Sequence, residues 1–242
     1  IDSGQAARLI GRFAKVITLA CHPAAAGFCG RLTSVTGLPL RAEFQQANAD
    51  RARSRFSIQA GKPLLVVMGG SQGAKAINEA LGPILSLILQ TACVVHLTGT
   101  EGITDAQSIR QNLPTAMRKH YLPMKFLEAG ISDLFLAADL VISRAGAMTV
   151  SEVCAVGVAA LLIPYPHAAG DHQSANAAYL VEHQAALVVS QAALSSLALS
   201  EMLGQFDQNR DQLHAMASQA RALFQPHATD RVARQCLEVL GA

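Results

Sequence analysis

The sequence predicts an α/β fold: a Rossmann-like, doubly wound parallel sheet over roughly residues 63–225, with a remnant of another domain before it. Three observations carry this reading. From Lys62 onward, short apolar segments alternate regularly with helical ones. The segments are apolar on both faces, as strands of a parallel sheet covered on both sides must be. Loops of glycine or other small residues lead from the first and fourth of these segments straight into helices.

Taken in order, residues 1–36 read as a helix (Gln5 to Arg12), an apolar segment (Ala14 to Ala20) and a loop. That is too little to form a core of its own. Gly37-Leu38-Pro39 marks a turn, and 37–62 reads as an interdomain segment, linker-like over 43–62 with room for a short helix. The first strand is Leu64–Met68, followed by an apolar helix at Ala74–Gln90. The second is Cys93–Leu97, with a helix around Asp105–Asn112, and the third is a weak strand near Lys119–Leu122, with a helix at Ile131–Ala138. The fourth is Leu140–Ser143, with a helix at Ala147–Val156, and the fifth is Ala159–Ile163, with a helix at Gln173–Glu182. The sixth is Ala186–Val189, and two helices follow before a last one over 226–242. With the usual strand order 3-2-1-4-5-6, strands one and four are neighbours where the order reverses, and ligands bind at the carboxyl ends of strands there.

Composition narrows the function. Hydrophobic residues make up 51% and charged residues 15%, which excludes a polar disordered chain. Net charge is +2 with no basic block, aromatics are 5% and Trp is absent, which argues against a nucleic-acid partner. The five cysteines show no zinc-type spacing and read as buried thiols of a reducing cytosol. No secretory signal is visible. The most apolar run, Val153 to Pro166, is broken by Gly157 and prolines and falls short of the ~20 residues a spanning helix needs.

After strand one comes Gly69-Gly70-Ser71-Gln72-Gly73, opening a helix. Glycines allow close backbone approach, and free N–H groups attract phosphate. The pattern is neither a Walker A loop nor GxGxxG, and the glycines alone fit a phosphate cradle or a tight turn equally well. After strand four comes Ser143-Arg144-Ala145-Gly146-Ala147-Met148-Thr149-Val150-Ser151-Glu152. Glu152 suits a pair of ribose hydroxyls; the alternative is a capping box of Thr149 with Glu152. After strand five, Asp171 reads as an N-cap. Gln173 and Asn176 share a helix face suited to a polyol, although capping and loop bonding account for Asp171 and Asn176 as well. His167 and His172 lack a third ligand for a metal, no Asp-x-Asp pair is present, and no nucleophile motif appears.

Together Gly-Gly-Ser-Gln-Gly-Ala at 69–74, Ser-Arg-Ala-Gly-Ala-Met-Thr-Val-Ser-Glu at 143–152 and Asp-His-Gln-Ser-Ala-Asn-Ala at 171–177 resemble the MurG family of peptidoglycan N-acetylglucosaminyltransferases. Thr36-Gly37-Leu38-Pro39-Leu40-Arg41 resembles that family's interdomain segment, with Leu38 in place of its Asn. Ala228 to Ala233 resembles the start of its last helix, which crosses back to the other domain. The resemblance implies the C-terminal half of a two-domain GT-B fold and an inverting, metal-independent transfer of N-acetylglucosamine from UDP to lipid I, giving lipid II. It implies no cofactor. Gly70, Ser71, Gln72 and Gly73 would hold the diphosphate, Arg41 the nucleotide sugar, and the backbone of Leu127 the uracil. Ala147, Met148, Thr149, Val150, Ser151 and Glu152 would line the nucleotide, with Glu152 on the ribose, and Gln173 would bond the sugar, with Asn176 part of the same motif. The family's acceptor site and base lie in an N-terminal domain of which 1–36 is only the tail, so no residue here inherits the base. The resemblance also implies peripheral association with the cytoplasmic face of the bacterial inner membrane. A donor-binding subunit of a split transferase and a non-catalytic nucleotide-sugar-binding module are the competing readings.

Overall fold

The computed structural model describes residues 5–70 and 73–241. Helix α1 (Gln5–Gly11) leads into strand β1 (Ile17–Leu19), which pairs in parallel with β2 (Thr33–Val35). Leu19, Cys21, Ala24 and Phe28 form a small cluster that leans on Tyr179, so this N-terminal segment borrows part of its core from the main sheet's helices.

Residues 42–58, linker-like in sequence, are packed. After a 3-10 turn (Ala42–Gln45), the Asn48 side chain accepts the Arg51 N–H and caps helix α2 (Ala49–Arg55). Phe44, Ala52, Phe56 and Ile58 are buried in the main core. Arg51 and the Asn48 N–H both bond the carboxylate of Asp133. The segment looks polar because only one residue in three or four is buried, and no run of apolar residues announces it.

The main sheet contains β3 (Leu64–Met68), β4 (Cys93–Leu97), β5 (Tyr121–Met124), β6 (Leu140–Ser143), β7 (Ala160–Leu162) and β8 (Leu187–Val188). All pairs are parallel, in the order β5-β4-β3-β6-β7-β8, which is the predicted 3-2-1-4-5-6. Along β3, Leu64 and Val66 enter one core, while Leu65 and Val67 enter the other. This period-2 alternation with both faces covered is why the strands carry no polar side.

The helices differ from expectation in three places. The run 74–90 is broken into α3 (Lys75–Leu81), a 3-10 turn and α4 (Leu85–Thr91). Pro83 in that turn cannot donate a helical hydrogen bond. Helix α5 (Gly99–Asn112) begins well before Asp105, and a short α6 (Thr115–Arg118) precedes β5. The third strand lies over 121–124 rather than 119–122, because Tyr121 takes the fully buried first position opposite Val94. Pro123 is tolerated because β5 is an edge strand.

Beyond β5 come α7 (Ile131–Ala137), α8 (Ala147–Val156), α9 (His172–Glu182), α10 (Ser196–Gln208), α11 (Arg210–Ala222) and α12 (Ala228–Leu240). Helix α12 returns to the N-terminal segment, where the Lys15 ammonium donates to the Val239 carbonyl at 3.4 Å. Its Leu237 and Leu240 are exposed. Cys21, Cys93 and Cys154 are buried as expected, but Cys29 and Cys236 are exposed. Among the described residues, no helix is long and apolar enough to cross a membrane.

Candidate functional site

Strands β3 and β6 are neighbours, with Met68 opposite Ser143, so the loops that follow them leave the sheet at the same level. Between these loops lies a depression of about 270 Å³, lined by Gly69, Gly70, Gly73, Ser143, Arg144, Gly146, Thr149, Tyr165 and Gln173. Larger cavities of about 480 and 710 Å³ lie elsewhere, one at the amino ends of the strands and one between α3 and α5. Size does not select the site here; its place at the switch point and its backbone chemistry do.

The glycines are required. A Cβ on Gly69 would sit 2.1 Å from the Ala74 nitrogen. Gly73 has φ +82°, and a Cβ there would sit 2.3 Å from the Thr98 carbonyl oxygen. The Gly73 N–H closes the loop by donating to Gly70 O at 2.9 Å. Ser71 and Gln72 lie outside the described residues.

Helix α8 opens at Gly146 with no side chain capping it. The N–H groups of Ala147, Met148 and Thr149 are therefore left for a ligand or water. Thr149 is the third helical residue, so the capping box is not formed. Glu152 instead turns toward Arg41, whose guanidinium donates to it at 3.3 Å. Glu152 is only 7% exposed. Burial raises its pKa above the usual carboxylate range, and Arg41 offsets part of that shift. Arg41 also pairs with Glu43 at 2.9 Å, and Glu43 accepts the Gly130 N–H at the other end. Residues 41–43 thus tie helix α8 to Gly130, which closes the loop holding Leu127. No hydrogen bond joins the Leu127 backbone to another described residue. Met148 is exposed, whereas the Val150 side chain is in the core, so its contribution to a ligand would be through its backbone.

Residues 64–232 match the C-terminal domain model of glycosyltransferase family 28. The chain belongs to this family. The Burkholderia thailandensis UDP-N-acetylglucosamine–N-acetylmuramyl-(pentapeptide) pyrophosphoryl-undecaprenol N-acetylglucosamine transferase is 38% identical over 99% of the chain. The chain spans 63% of that relative's length. The crystal structure of Acinetobacter baumannii MurG superimposes with a TM-score of 0.74 at 30% identity, covering 96% of this chain and 63% of that one. A UDP co-structure of S. aureus MnaA matches with the same TM-score of 0.74 but only 12% identity, over 97% of this chain and 63% of that one, and speaks for the fold alone. The parallel sheet and its helices are those of a GT-B C-terminal domain.

Within this family 28 domain, α9 gives its two predicted residues different surroundings. Gln173 lines the depression, its amide oxygen accepting the Tyr165 N–H at 2.9 Å, which leaves its NH₂ group for a ligand. Asn176 is buried and donates to the Ala145 carbonyl at 2.8 Å, tying α9 to the loop before α8. That is the loop-bonding alternative. Asp171 occupies the N-cap position, but its carboxylate accepts the Ser174 hydroxyl at 2.6 Å and caps no N–H.

Sequence reasoning passed over Arg144. It donates to the carbonyls of Ile163 and Pro164 and to Gln191, and its guanidinium lies 5.3 Å from the Tyr165 ring centre. Burial lowers its pKa. It clamps the loop after β7 against the loop after β6. The available signal was an arginine inside an otherwise small-residue loop.

Proposed function

We propose that the chain is the donor-binding part of an inverting transferase that moves N-acetylglucosamine from UDP to the 4-hydroxyl of a lipid-linked N-acetylmuramoyl-pentapeptide, lipid I to lipid II. The observation that carries this is the convergence on one depression of the glycine loop, the uncapped start of α8 and Gln173, with Glu152 one turn beyond Thr149 on α8. The 38% identity over nearly the whole chain supports the same substrate pair. In this reading Gly70, Ser71, Gln72 and Gly73 and the first turn of α8 bind the diphosphate through N–H groups and stabilise the charge that develops on departing UDP. Glu152 accepts from the ribose hydroxyls, the Leu127 backbone bonds uracil, and Arg41 reaches the nucleotide sugar by leaving Glu152. Gln173 donates to sugar hydroxyls.

The remainder of the reaction belongs to the portion of the relatives that this chain does not span. That portion supplies the base within about 2.6–3.2 Å of the acceptor hydroxyl and holds the acceptor in line with the anomeric carbon. Residues 1–36 are its tail, 37–62 join it to the 63–225 donor domain, and 226–242 pack back on it. Peripheral attachment to the cytoplasmic face of the bacterial inner membrane follows from the lipid-linked acceptor.

The test is to incubate the purified chain with radiolabelled UDP-N-acetylglucosamine and a soluble lipid I analogue. The expected result is donor binding without transfer, and transfer once the N-terminal portion of a relative is restored. Disaccharide formed by this chain alone would place the base within it, and failure to bind the donor at all would overturn the assignment.

A further inference from the structure

A second polar group lies behind the glycine loop, on the face of the sheet covered by α3 and α5. Asn78 of α3 donates through Nδ2 to the Thr98 carbonyl at 3.1 Å. Its Oδ1 lies 3.0 Å from His96 Nε2, and His96 Nδ1 lies 2.9 Å from the Tyr121 hydroxyl. His96 is 2% exposed and Tyr121 1% exposed. The directions of these bonds follow from one fixed point. A carbonyl only accepts, so the Asn78 NH₂ group faces Thr98 and its oxygen faces His96. His96 Nε2 therefore carries the proton, Nδ1 is the acceptor, and Tyr121 donates. Burial holds His96 neutral, with its pKa lowered to about 4, so the chain of bonds stays uncharged.

The far end of this chain is the Thr98 carbonyl, the atom against which Gly73 packs. Thr98 is itself buried, and its hydroxyl donates to Met124 O on the edge strand. Between α3 and α5, around Asn78, His96 and Tyr121, lies the cavity of about 710 Å³. Side-chain packing is therefore thin on this flank of α3, and hydrogen bonds fix its first turns against β4.

We propose that Asn78, His96 and Tyr121 are positioning residues for the donor diphosphate: a one-directional hydrogen-bond chain that sets the place of the phosphate loop by holding α3 and the Thr98 carbonyl against Gly73. This rests on the reading of the glycine loop as a diphosphate site. It makes a claim that a merely structural role does not, since the loss must follow the phosphates and spare the nucleoside.

The experiment uses the whole chain, with UDP measured by calorimetry and uridine by NMR titration. Asn78→Ala is expected to weaken UDP about tenfold, as one lost net hydrogen bond would, while uridine changes less than about twofold. His96→Gln, which can still donate to Asn78, stays near wild type, and His96→Leu behaves like Asn78→Ala. Should Asn78→Ala not fold, Tyr121→Phe, which removes a single hydroxyl, carries the same comparison. Hydrogen exchange of residues 70–76 without ligand is expected to be faster in each weakened variant. Equal losses for UDP and uridine, unchanged UDP affinity in folded variants, or unchanged exchange around Gly73 would each overturn the proposal. Wild-type chain that fails to bind UDP would sink the diphosphate reading instead, and the exchange measurement would still decide whether the chain of bonds sets the loop.

Discussion

Replacing Glu152 separates a ligand role from a structural one. Glu152 is 7% exposed and has one charged partner, Arg41, whose side chain is half-exposed and 3.3 Å away. A pair of that kind contributes about 0–1 kcal/mol to stability. Glu152→Gln also removes the cost of burying a charge, so the melting temperature should move by no more than a few degrees in either direction. Binding of UDP should suffer far more. Two ribose hydroxyls donating to a carboxylate are charge-assisted bonds of about 1.5–3 kcal/mol each, and a neutral amide keeps at best one weaker acceptor. The expected loss is about 1.5–3 kcal/mol, or roughly 10- to 150-fold in Kd. Calorimetry gives the affinity and a thermal melt the stability. Acid adds a second signature. The Glu152 pKa is raised in the folded chain, so protonation begins above the usual carboxylate range, and UDP affinity should fall as pH drops through that point. Free-chain stability runs the other way: the cost of the buried charge is relieved as pH falls from the raised folded value toward the unfolded one. Glu152→Gln should flatten both trends. UDP affinity within twofold of wild type, together with a clear loss of melting temperature, would refute the ribose assignment.

His96 should make the fold acid-sensitive. Its pKa is lowered from 6.5 to about 4 by burial, so the unfolded chain binds the proton first, and stability present above pH 6.5 is lost as pH falls to about 4. The amount is about 3 kcal/mol, read as a pH series of denaturation midpoints; a flat series between those values would contradict it. Gly73→Ala should lower both stability and UDP affinity, because a left-handed backbone costs a side chain roughly 1–2 kcal/mol and the new methyl meets the Thr98 carbonyl; wild-type UDP binding by this variant would show that the loop shifts freely. UDP affinity should survive chelator, since the glycine-loop N–H groups and the α8 terminus border the depression where a diphosphate would bring its charge. A large loss in EDTA, restored by Mg²⁺ or Mn²⁺, would count against that.

The sheet was legible because its code is short-range. Leu64–Met68 is apolar at every position, Cys93–Leu97 and Leu140–Ser143 are apolar but for His96 and Ser143, and the glycine and small-residue loops fix where two helices start. Together these give the strand order and the switch point at which the candidate site lies, and three loop motifs gave the family. Residue type alone left Glu152 open between cap and ligand, since the same Thr-x-x-Glu spacing serves both. The start of α8 at Ala147 ruled out the cap by placing Thr149 inside the helix. Asn176 bonds the loop before α8, because the rotation of α9 turns it under Ala145 while Gln173 lines the depression.

What the sequence by itself determined, then, is everything carried by neighbours along the chain: apolar period, turn residues and loop motifs. What the tertiary structure decided is which polar side chains meet across long separations. Arg41 reaches Glu152 over 111 positions, and Asn78, His96 and Tyr121 meet from a helix and two strands. Arg144 spans to Gln191 over 47 positions. Such pairings leave no periodic trace, because a buried hydrogen bond needs only two atoms at the right distance and angle, and the fold, not local spacing, supplies both.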